Sequence, residues 1–314
     1  MIAAEEILRR AEELRASLAS CRLCAHRCGV NRLQGERGFC EATAQLEVSS
    51  ECVHHGEEPV LMGREGVGNF FLAHCNMRCV YCQNHQISQT DRRFPRGEES
   101  VAESLLRFGE MGCPTAGFVS PTHYAPQILR AVGLAAEKGF DLPLIYNTNC
   151  YDSPELVRML DGIFRIYLPD FRYWDDEYAV RYSSARGYRE AAKAALKEMY
   201  QQVGGLEVGP DGVARSGVMV RLLVLPNGTS GTERILRYIA EELSTDVGIS
   251  LLAQYNPVHR ARDYPPLNRR LWRKEYASAR KTLEELGFHS GYTQDLLPSP
   301  DSYLPDFERG DPFG

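Results

Sequence analysis

The sequence lacks any run of about 20 consecutive apolar residues, the length that a membrane-spanning helix requires. Its first twenty residues, MIAAEEILRRAEELRASLAS, also lack the apolar core of a secretory signal peptide. The formal net charge is -6, so the chain has no excess of positive charge to attract nucleic-acid backbones or anionic lipid. We therefore expect a cytoplasmic protein with no membrane partner, and the charge disfavours nucleic acid as a partner.

The composition is ordinary for a globular protein, but the cysteines are unevenly distributed. Of the ten cysteines in 314 residues, seven fall into two tight groups. In a chain expected to reside in a reducing compartment, such groups favour metal binding over disulfides. The other three are expected to be small buried hydrophobic residues: Cys52, Cys113 and Cys150.

Short apolar runs alternate with helical stretches from about Gly68 onwards, which predicts a parallel sheet with crossover helices. Six strands are predicted, at residues 69–73, 116–120, 142–147, 163–168, 218–225 and 249–254. Helices are predicted between them at residues 99–111, 126–138, 154–160, 188–202, 232–243 and 268–286. An amphipathic helix is expected at the N-terminus, and the glycine-rich stretch 203–217 predicts a loop or small hairpin.

The most specific motif is CNMRCVYC, which places Cys75, Cys79 and Cys82 in a C-x3-C-x2-C arrangement just after the first predicted strand. Three thiolates can bind three irons of a four-iron cluster and leave the fourth iron without a protein ligand, whereas an electron-transfer cluster normally has four cysteines. A zinc site is the alternative. The motif therefore favours a [4Fe-4S] cluster that is open to a substrate ligand.

This motif, with the string CVYCQNHQIS around it, resembles the radical SAM superfamily, and in particular homologues of pyruvate formate-lyase activating enzyme. The resemblance implies a partial (β/α)6 TIM-like barrel, here at residues 61–290. An N-terminal helix and Cys-rich metal-binding extension would occupy residues 1–60, and a tail residues 291–314. It also implies that S-adenosylmethionine (SAM) binds the open iron and is cleaved reductively to a 5′-deoxyadenosyl radical, which abstracts hydrogen from a substrate.

The resemblance leaves the substrate open among a peptide, a protein and a metabolite. Glycyl-radical activation of a partner enzyme is the narrower form, and an electron donor such as flavodoxin or ferredoxin is implied. Two other functions remain open. One is an iron-sulfur electron-transfer or redox-sensing protein without SAM turnover, and the other is an RNA-modifying radical SAM enzyme.

Candidate SAM contacts lie at the predicted strand ends. The second strand ends in FVSPTHYAP, where many radical SAM enzymes carry a Gly-Gly-Glu-like motif. Thr122 and His123 are candidates to replace that contact, and a helix-entry turn is the alternative. Asp170 and Arg172 resemble the Asp-x-Lys segment of the activases, with a structural ion pair as the alternative. The remaining candidates are Tyr81 in the cluster motif, Asn147, Asn149, Arg221 and Gln254.

A second metal site is predicted at Cys21, Cys24, Cys28 and Cys40, spaced C-x2-C-x3-C-x11-C. Four thiolates make a closed site that suits either structural zinc or an auxiliary [4Fe-4S] cluster, and the spacing does not decide between them. Between the two metal motifs lies ECVHHGEEP. In it, Glu57 or Glu58 is a candidate contact for substrate or SAM, with a solvated turn as the alternative.

Overall fold

A computed structural model describes residues 1–296, 304–309 and 311–313. Their nine strands form one sheet in the order β1-β2-β3-β4-β5-β7-β8-β9, with β6 paired to β7. The strands from β2 to β9 along this path run parallel, whereas β1 is antiparallel to β2 and β6 to β7. The sheet does not close on itself, so the predicted partial α/β barrel is confirmed.

All six predicted strands are present, with shifts of a few residues at their ends. The strands are β1 Val48–His54, β2 Val67–Leu72, β3 Thr115–Val119, β4 Leu144–Thr148, β5 Ile166–Pro169, β6 Glu207–Val208, β7 Ala214–Leu223, β8 Gly248–Leu252 and β9 Gly291–Thr293. The short β6 and the start of β7 form the small hairpin that the glycine-rich stretch predicted. The edge strands β1 and β9 were not predicted.

The predicted helices are also present. The helices are α1 Ala4–Ser17, α2 Pro59–Met62, α3 His85–Ser88, α4 Glu98–Glu110, α5 Ala125–Glu137, α6 Pro154–Met159, α7 Asp176–Ser183, α8 Tyr188–Val203, α9 Thr232–Glu242 and α10 Arg273–Glu285. The start of α6 illustrates how local sequence sets a helix end. Ser153 accepts a hydrogen bond from the Leu156 amide, and Pro154 occupies a first-turn position that needs no amide proton. None of the helices among the described residues combines the length and the apolar character needed to cross a bilayer.

The inner face of the barrel has an apolar floor. It is built by the side chains of Val60, Leu61, Val67, Ile145, Ile166, Leu168, Ala214 and Met219. Side chains alternate along a strand, so residues two positions beyond these floor residues point to the same side. Asn69, Asn147, Asp170 and Arg221 therefore form a polar layer above the floor, towards the carboxyl ends of the parallel strands.

The N-terminal segment packs on the outside of this barrel and reaches its carboxyl-terminal edge. Helix α1 buries Ile7, Ala11 and Leu14 in the main core, where it lies against α5. Further along, Cys24 forms a backbone bridge with Asp152, just after β4. The predicted tail falls partly outside the described residues, at 297–303, 310 and 314. The assignment of residues 1–60, 61–290 and 291–314 to separate units remains a prediction.

Candidate active site

The three cysteines of the C-x3-C-x2-C motif lie on one loop that follows β2. Cys75 and Cys79 are buried and Cys82 is partly exposed. Main-chain hydrogen bonds fix the loop to α7, because the Arg78 amide donates to the Ser183 carbonyl over 3.0 Å and the Val80 amide to the Tyr182 carbonyl over 2.8 Å. The loop therefore presents its thiols from a rigid frame at the carboxyl end of the first parallel strand.

Each of these three thiols has a polar group beside its sulfur. The Asn149 amide nitrogen donates to Cys75 Sγ over 3.4 Å. The Ser183 hydroxyl donates to Cys79 Sγ over 3.0 Å, and Ser88 Oγ lies 3.2 Å from Cys82 Sγ. Burial raises the pKa of the free Cys75 thiol, and that of Cys82 to about 12, so these thiols stay protonated until a metal binds them. The neighbouring polar groups can then stabilise the negative charge on a metal-bound sulfur.

Asp170 and Arg172 form an ion pair next to this loop, directly after β5. Arg172 donates to the Asp170 carboxylate, and its guanidinium also lies 4.0 Å from Cys79 Sγ. The proximity of the Asp170 carboxylate raises the pKa of Arg172 although burial opposes the shift, so the guanidinium stays charged. The structural ion pair, which was the alternative for Asp170 and Arg172, is therefore present, and it lies beside the Cys79 thiol.

The polar layer contains a second, more buried ion cluster. Arg221 on β7 donates to both Glu57 and Glu58, with an Nε to Oε1 distance of 2.9 Å to Glu58. Asn69 on β2 donates to Glu57 over 2.8 Å. The side chains of the three charged residues are only 7–15% exposed. Although burial opposes the shift, Arg221 holds the pKa of Glu58 below its ordinary value. Glu57 thus connects β2 to β7 across the barrel, and both glutamates are buried ion-pair partners, unlike residues of a solvated turn.

A buried ionic anchor fixes the start of the cysteine loop. His74, immediately before Cys75, adopts a left-handed backbone with φ of 67°. Its ring lies 3.4 Å from Glu47, which also pairs with Arg93 over 3.0 Å. Burial opposes ionisation of Glu47, but the neighbouring His74 ring, the Phe94 amide and Arg93 together lower its pKa to about 2. The anchor therefore holds a strained residue next to Cys75, the first cysteine of the motif.

Thr122 and His123 are engaged by other parts of the protein. Thr122 donates to the buried carboxylate of Asp152 over 2.8 Å. His123 Nε2 lies 2.8 Å from the Ala73 carbonyl oxygen, and since a carbonyl only accepts, this nitrogen carries the proton. Both residues lie in a short turn that leads into α5, as the alternative interpretation predicted. Their contact with SAM remains a prediction.

Three further candidates occupy different parts of the site. Asn147 lies in the polar layer. Tyr81 is buried, with its ring centroid 5.8 Å from that of Tyr255. Gln254 accepts a hydrogen bond from Gln294 over 2.8 Å, which ties it to the β8–β9 edge. The structure therefore gathers most of the predicted residues around one end of the barrel, with Gln254 at its margin.

The four N-terminal cysteines form a separate group. Cys21, Cys24, Cys28 and Cys40 line one cavity, together with Arg32, Gly38 and His123 among others. Among residues 1–296, 304–309 and 311–313, no three His, Cys, Asp or Glu side chains are close enough to coordinate a single ion. A cluster separates its cysteine ligands more widely than one ion does, because each thiolate binds a different iron atom. Both cysteine groups thus have the ligand chemistry of metal sites without a preformed single-ion geometry.

Several residues of the site were not predicted from the sequence. Ser183 and Tyr173 form a chain to Cys79, because Tyr173 Oη lies 2.7 Å from Ser183 Oγ. Tyr188 Oη lies 2.9 Å from the main-chain carbonyl oxygens of both Asn149 and Asp170, which share its single proton. Hydroxyl groups about 100 positions away in the sequence carry no local pattern, so no signal in the sequence would have identified them.

The chain is similar to two curated proteins from Methanocaldococcus jannaschii. The uncharacterized protein MJ0674 is 30% identical over 288 residues, which cover 88% of this chain and 76% of the relative. The uncharacterized protein MJ0808 is 23% identical over 283 residues, which cover 81% of this chain and 76% of the relative. A scan against models of protein families found no match.

Solved structures with partial similarity include a radical SAM methyltransferase from Sphaerobacter thermophilus, with a TM-score of 0.46 and 14% identity over 72% of this chain and 66% of that chain. HydG, a maturase of the [FeFe]-hydrogenase, has a TM-score of 0.49 and 12% identity over 93% of this chain and 63% of that chain. TYW1 with a lysine-pyruvate adduct has a TM-score of 0.43 and 11% identity over 69% of this chain and 73% of that chain. Overlaps of this extent assign no activity to the chain.

Proposed function

The chain belongs to the same family as the uncharacterized protein MJ0674 of Methanocaldococcus jannaschii, and for this member of the family we propose the function of a radical SAM enzyme. One observation carries the proposal. Three cysteine thiols, each beside a polar hydrogen-bonding group, sit on one loop at the carboxyl end of the first parallel strand. The carboxyl-terminal face is where barrels of this kind build their active sites.

The donor set fits a [4Fe-4S] cluster. Cys75, Cys79 and Cys82 would hold three of its irons, and the fourth would be left for SAM. When bound, the cluster and SAM supply one-electron cleavage to a 5′-deoxyadenosyl radical, which abstracts hydrogen from the substrate. The remaining task of the protein is to bind, orient and shield these groups.

The ion pair beside the cysteine loop offers complementary contacts for SAM. The Arg172 guanidinium can pair with a carboxylate, and the Asp170 carboxylate can accept hydrogen bonds from an ammonium group or ribose. Asn147, in the polar layer, supplies a neutral amide for a further hydrogen bond. These three residues are proposed SAM contacts, and Asn149 acts through its hydrogen bond to Cys75.

The proposed substrate is a peptide, protein or metabolite, with activation of a glycyl-radical enzyme as the narrower form. A flavodoxin or ferredoxin would deliver the electron. The proposal includes a second metal centre at Cys21, Cys24, Cys28 and Cys40, which line one cavity.

The test is SAM-dependent release of 5′-deoxyadenosine by anaerobically reconstituted, chemically reduced protein. We expect release well above that of protein without reductant. An iron-sulfur electron carrier would bind iron and accept electrons but would release no 5′-deoxyadenosine, and that outcome would refute the proposal. Deuterium transfer into 5′-deoxyadenosine from fractions of a deuterated cell extract would then identify the fraction that contains the substrate.

Ser183 provides a finer test of the cluster environment. Ser183→Ala removes the hydroxyl that donates to Cys79 Sγ, and hydrogen bonds to ligand sulfurs stabilise the more negative, reduced cluster. We expect the reduction potential to fall by roughly 60 mV, a tenfold change for a one-electron couple. Redox titration followed by electron paramagnetic resonance measures the shift. The exposed Ser278→Ala is the control, and an equal potential in both variants would contradict the assignment of Cys79 as a ligand.

A further inference from the structure

Arg32 is a buried cation with no carboxylate partner in the part of the chain that the structure describes. Its side chain lies in the N-terminal cysteine segment and is only 1% exposed. One terminal nitrogen donates to the Thr43 carbonyl over 2.6 Å, and within the described part of the chain Nε has no hydrogen-bond partner and no carboxylate forms an ion pair with Arg32. Glu47, a buried carboxylate of the same core, is already held by Arg93 and His74.

A charge in this position requires compensation. Removing an ion from water is costly even after the protein relaxes. The Tyr124 ring, whose centroid is 5.9 Å from the guanidinium carbon, offers a cation–π attraction but no negative charge. The remaining neighbours of the guanidinium include Cys21, whose Sγ lies 3.8 Å from a terminal nitrogen. Negative charge on the cysteine sulfurs would supply the compensation that the carboxylates do not.

The state of the four cysteines determines whether that charge exists. Protonated thiols and disulfides are neutral and would leave Arg32 uncompensated. Four thiolates around a zinc ion or a four-iron cluster carry a net charge of about -2. We propose that Cys21, Cys24, Cys28 and Cys40 hold an anionic metal–thiolate centre and that Arg32 is its counter-charge.

The backbone of the cavity supports this centre independently of Arg32. The Phe39 amide donates to Cys28 Sγ over 3.5 Å. This approach depends on Gly38, because a Cβ there would lie 2.8 Å from the same sulfur. The backbone is therefore shaped around a thiol that has a hydrogen-bond donor, as metal-bound thiolates do.

The inference rests on the second metal centre of the proposed function but not on radical chemistry, so metal content tests it separately. We expect the anaerobically purified full chain to contain about eight irons, or about four irons and one zinc. The double variant Cys21→Ala/Cys40→Ala should lose only the metal of the N-terminal centre, which is about four irons or one zinc. Iron or zinc at these cysteines supports the centre. A chain with no more than about four irons, and with the N-terminal cysteines free or in disulfides, would overturn it.

The role of Arg32 is tested by Arg32→Gln and Arg32→Lys, which are both polar but differ in charge. We expect Arg32→Gln to lose the metal of the N-terminal centre to a chelator at least tenfold faster than wild type. The rate of metal loss from Arg32→Lys should remain within about threefold of wild type. If the centre is a cluster, its reduction potential should also fall in Arg32→Gln alone. Arg22→Gln, an exposed arginine in the same segment, is the matched control. Equal metal loss from the Arg32→Gln, Arg32→Lys and Arg22→Gln proteins would overturn the counter-charge.

Discussion

Cys79→Ala is expected to abolish SAM-dependent release of 5′-deoxyadenosine, with activity reduced by at least about a thousandfold. Cys79 is buried, and its sulfur accepts from Ser183 and faces the Arg172 guanidinium. Loss of one of three thiolates leaves two protein ligands, and the cluster is then held too loosely to be retained. The measurement is 5′-deoxyadenosine by chromatography, together with iron content per chain.

Cys113→Ala is the matched control for this experiment. Cys113 is also buried but lies outside both cysteine groups, before β3. The Cys113→Ala variant should retain its iron content and its release of 5′-deoxyadenosine. Iron and turnover that survive in Cys79→Ala would remove this residue from the ligand set, and a parallel loss in Cys113→Ala would show that cysteine substitution disturbs the fold generally.

Arg221→Met is expected to give the largest loss of stability among single substitutions in the barrel. The methionine leaves Glu57 and Glu58 buried without their shared cation, and breaking such a pair costs about 3–5 kcal/mol. Chemical denaturation of the anaerobic holoprotein measures the free energy of unfolding. Arg215→Met, on the exposed start of β7, is the control and should change it by less than about 0.5 kcal/mol.

The loss in Arg221→Met should depend on pH. In the wild type, Arg221 lowers the folded-state pKa of Glu58, so the stabilisation is present above the unfolded pKa, about 4.3, and is lost as pH falls through the folded value. Without the guanidinium, burial instead raises the pKa of Glu58. Acidification from pH 7 to 5 should then protonate Glu58 in Arg221→Met. The difference in the free energy of unfolding between this variant and the wild type should therefore become smaller. Glu58→Gln should partly rescue Arg221→Met at pH 7, whereas a deficit that is independent of pH would contradict the ion cluster.

The local patterns in the sequence account for most of the barrel. The six predicted strands are buried on one or both faces, so each appears as a short apolar run. The edge strand β1 was not predicted because its sequence, VSSECVH, is largely polar and half-buried. Strand β9 was not predicted because it has only three residues. Helix α7 is short, and no apolar periodicity reveals its eight residues.

For the candidate site, the spacing of the cysteines was informative, whereas the partners of charged residues were not. Three cysteines within eight residues form a local pattern. Arg221 and Glu58, by contrast, are 163 positions apart, and only the folded barrel brings them together. Arg32 resembles a solvated loop residue in the sequence. Its burial, which creates the need for a counter-charge, is a property of tertiary packing alone.

Two hydrogen bonds between the two cysteine segments share a chemical feature. His26 Nε2 lies 2.9 Å from the Asn76 carbonyl oxygen, and Arg78 donates to the Phe39 carbonyl over 3.1 Å. In each contact the acceptor is a main-chain oxygen, which every amino acid possesses. An insertion or deletion beside Phe39 or Asn76 would displace this oxygen, whatever side chain the position carries. Selection should therefore constrain segment length here as well as the identities of Phe39 and Asn76. The Phe39 ring lies under the Arg78 guanidinium, and the buried Asn76 amide is hydrogen-bonded to Tyr151 and Asn149.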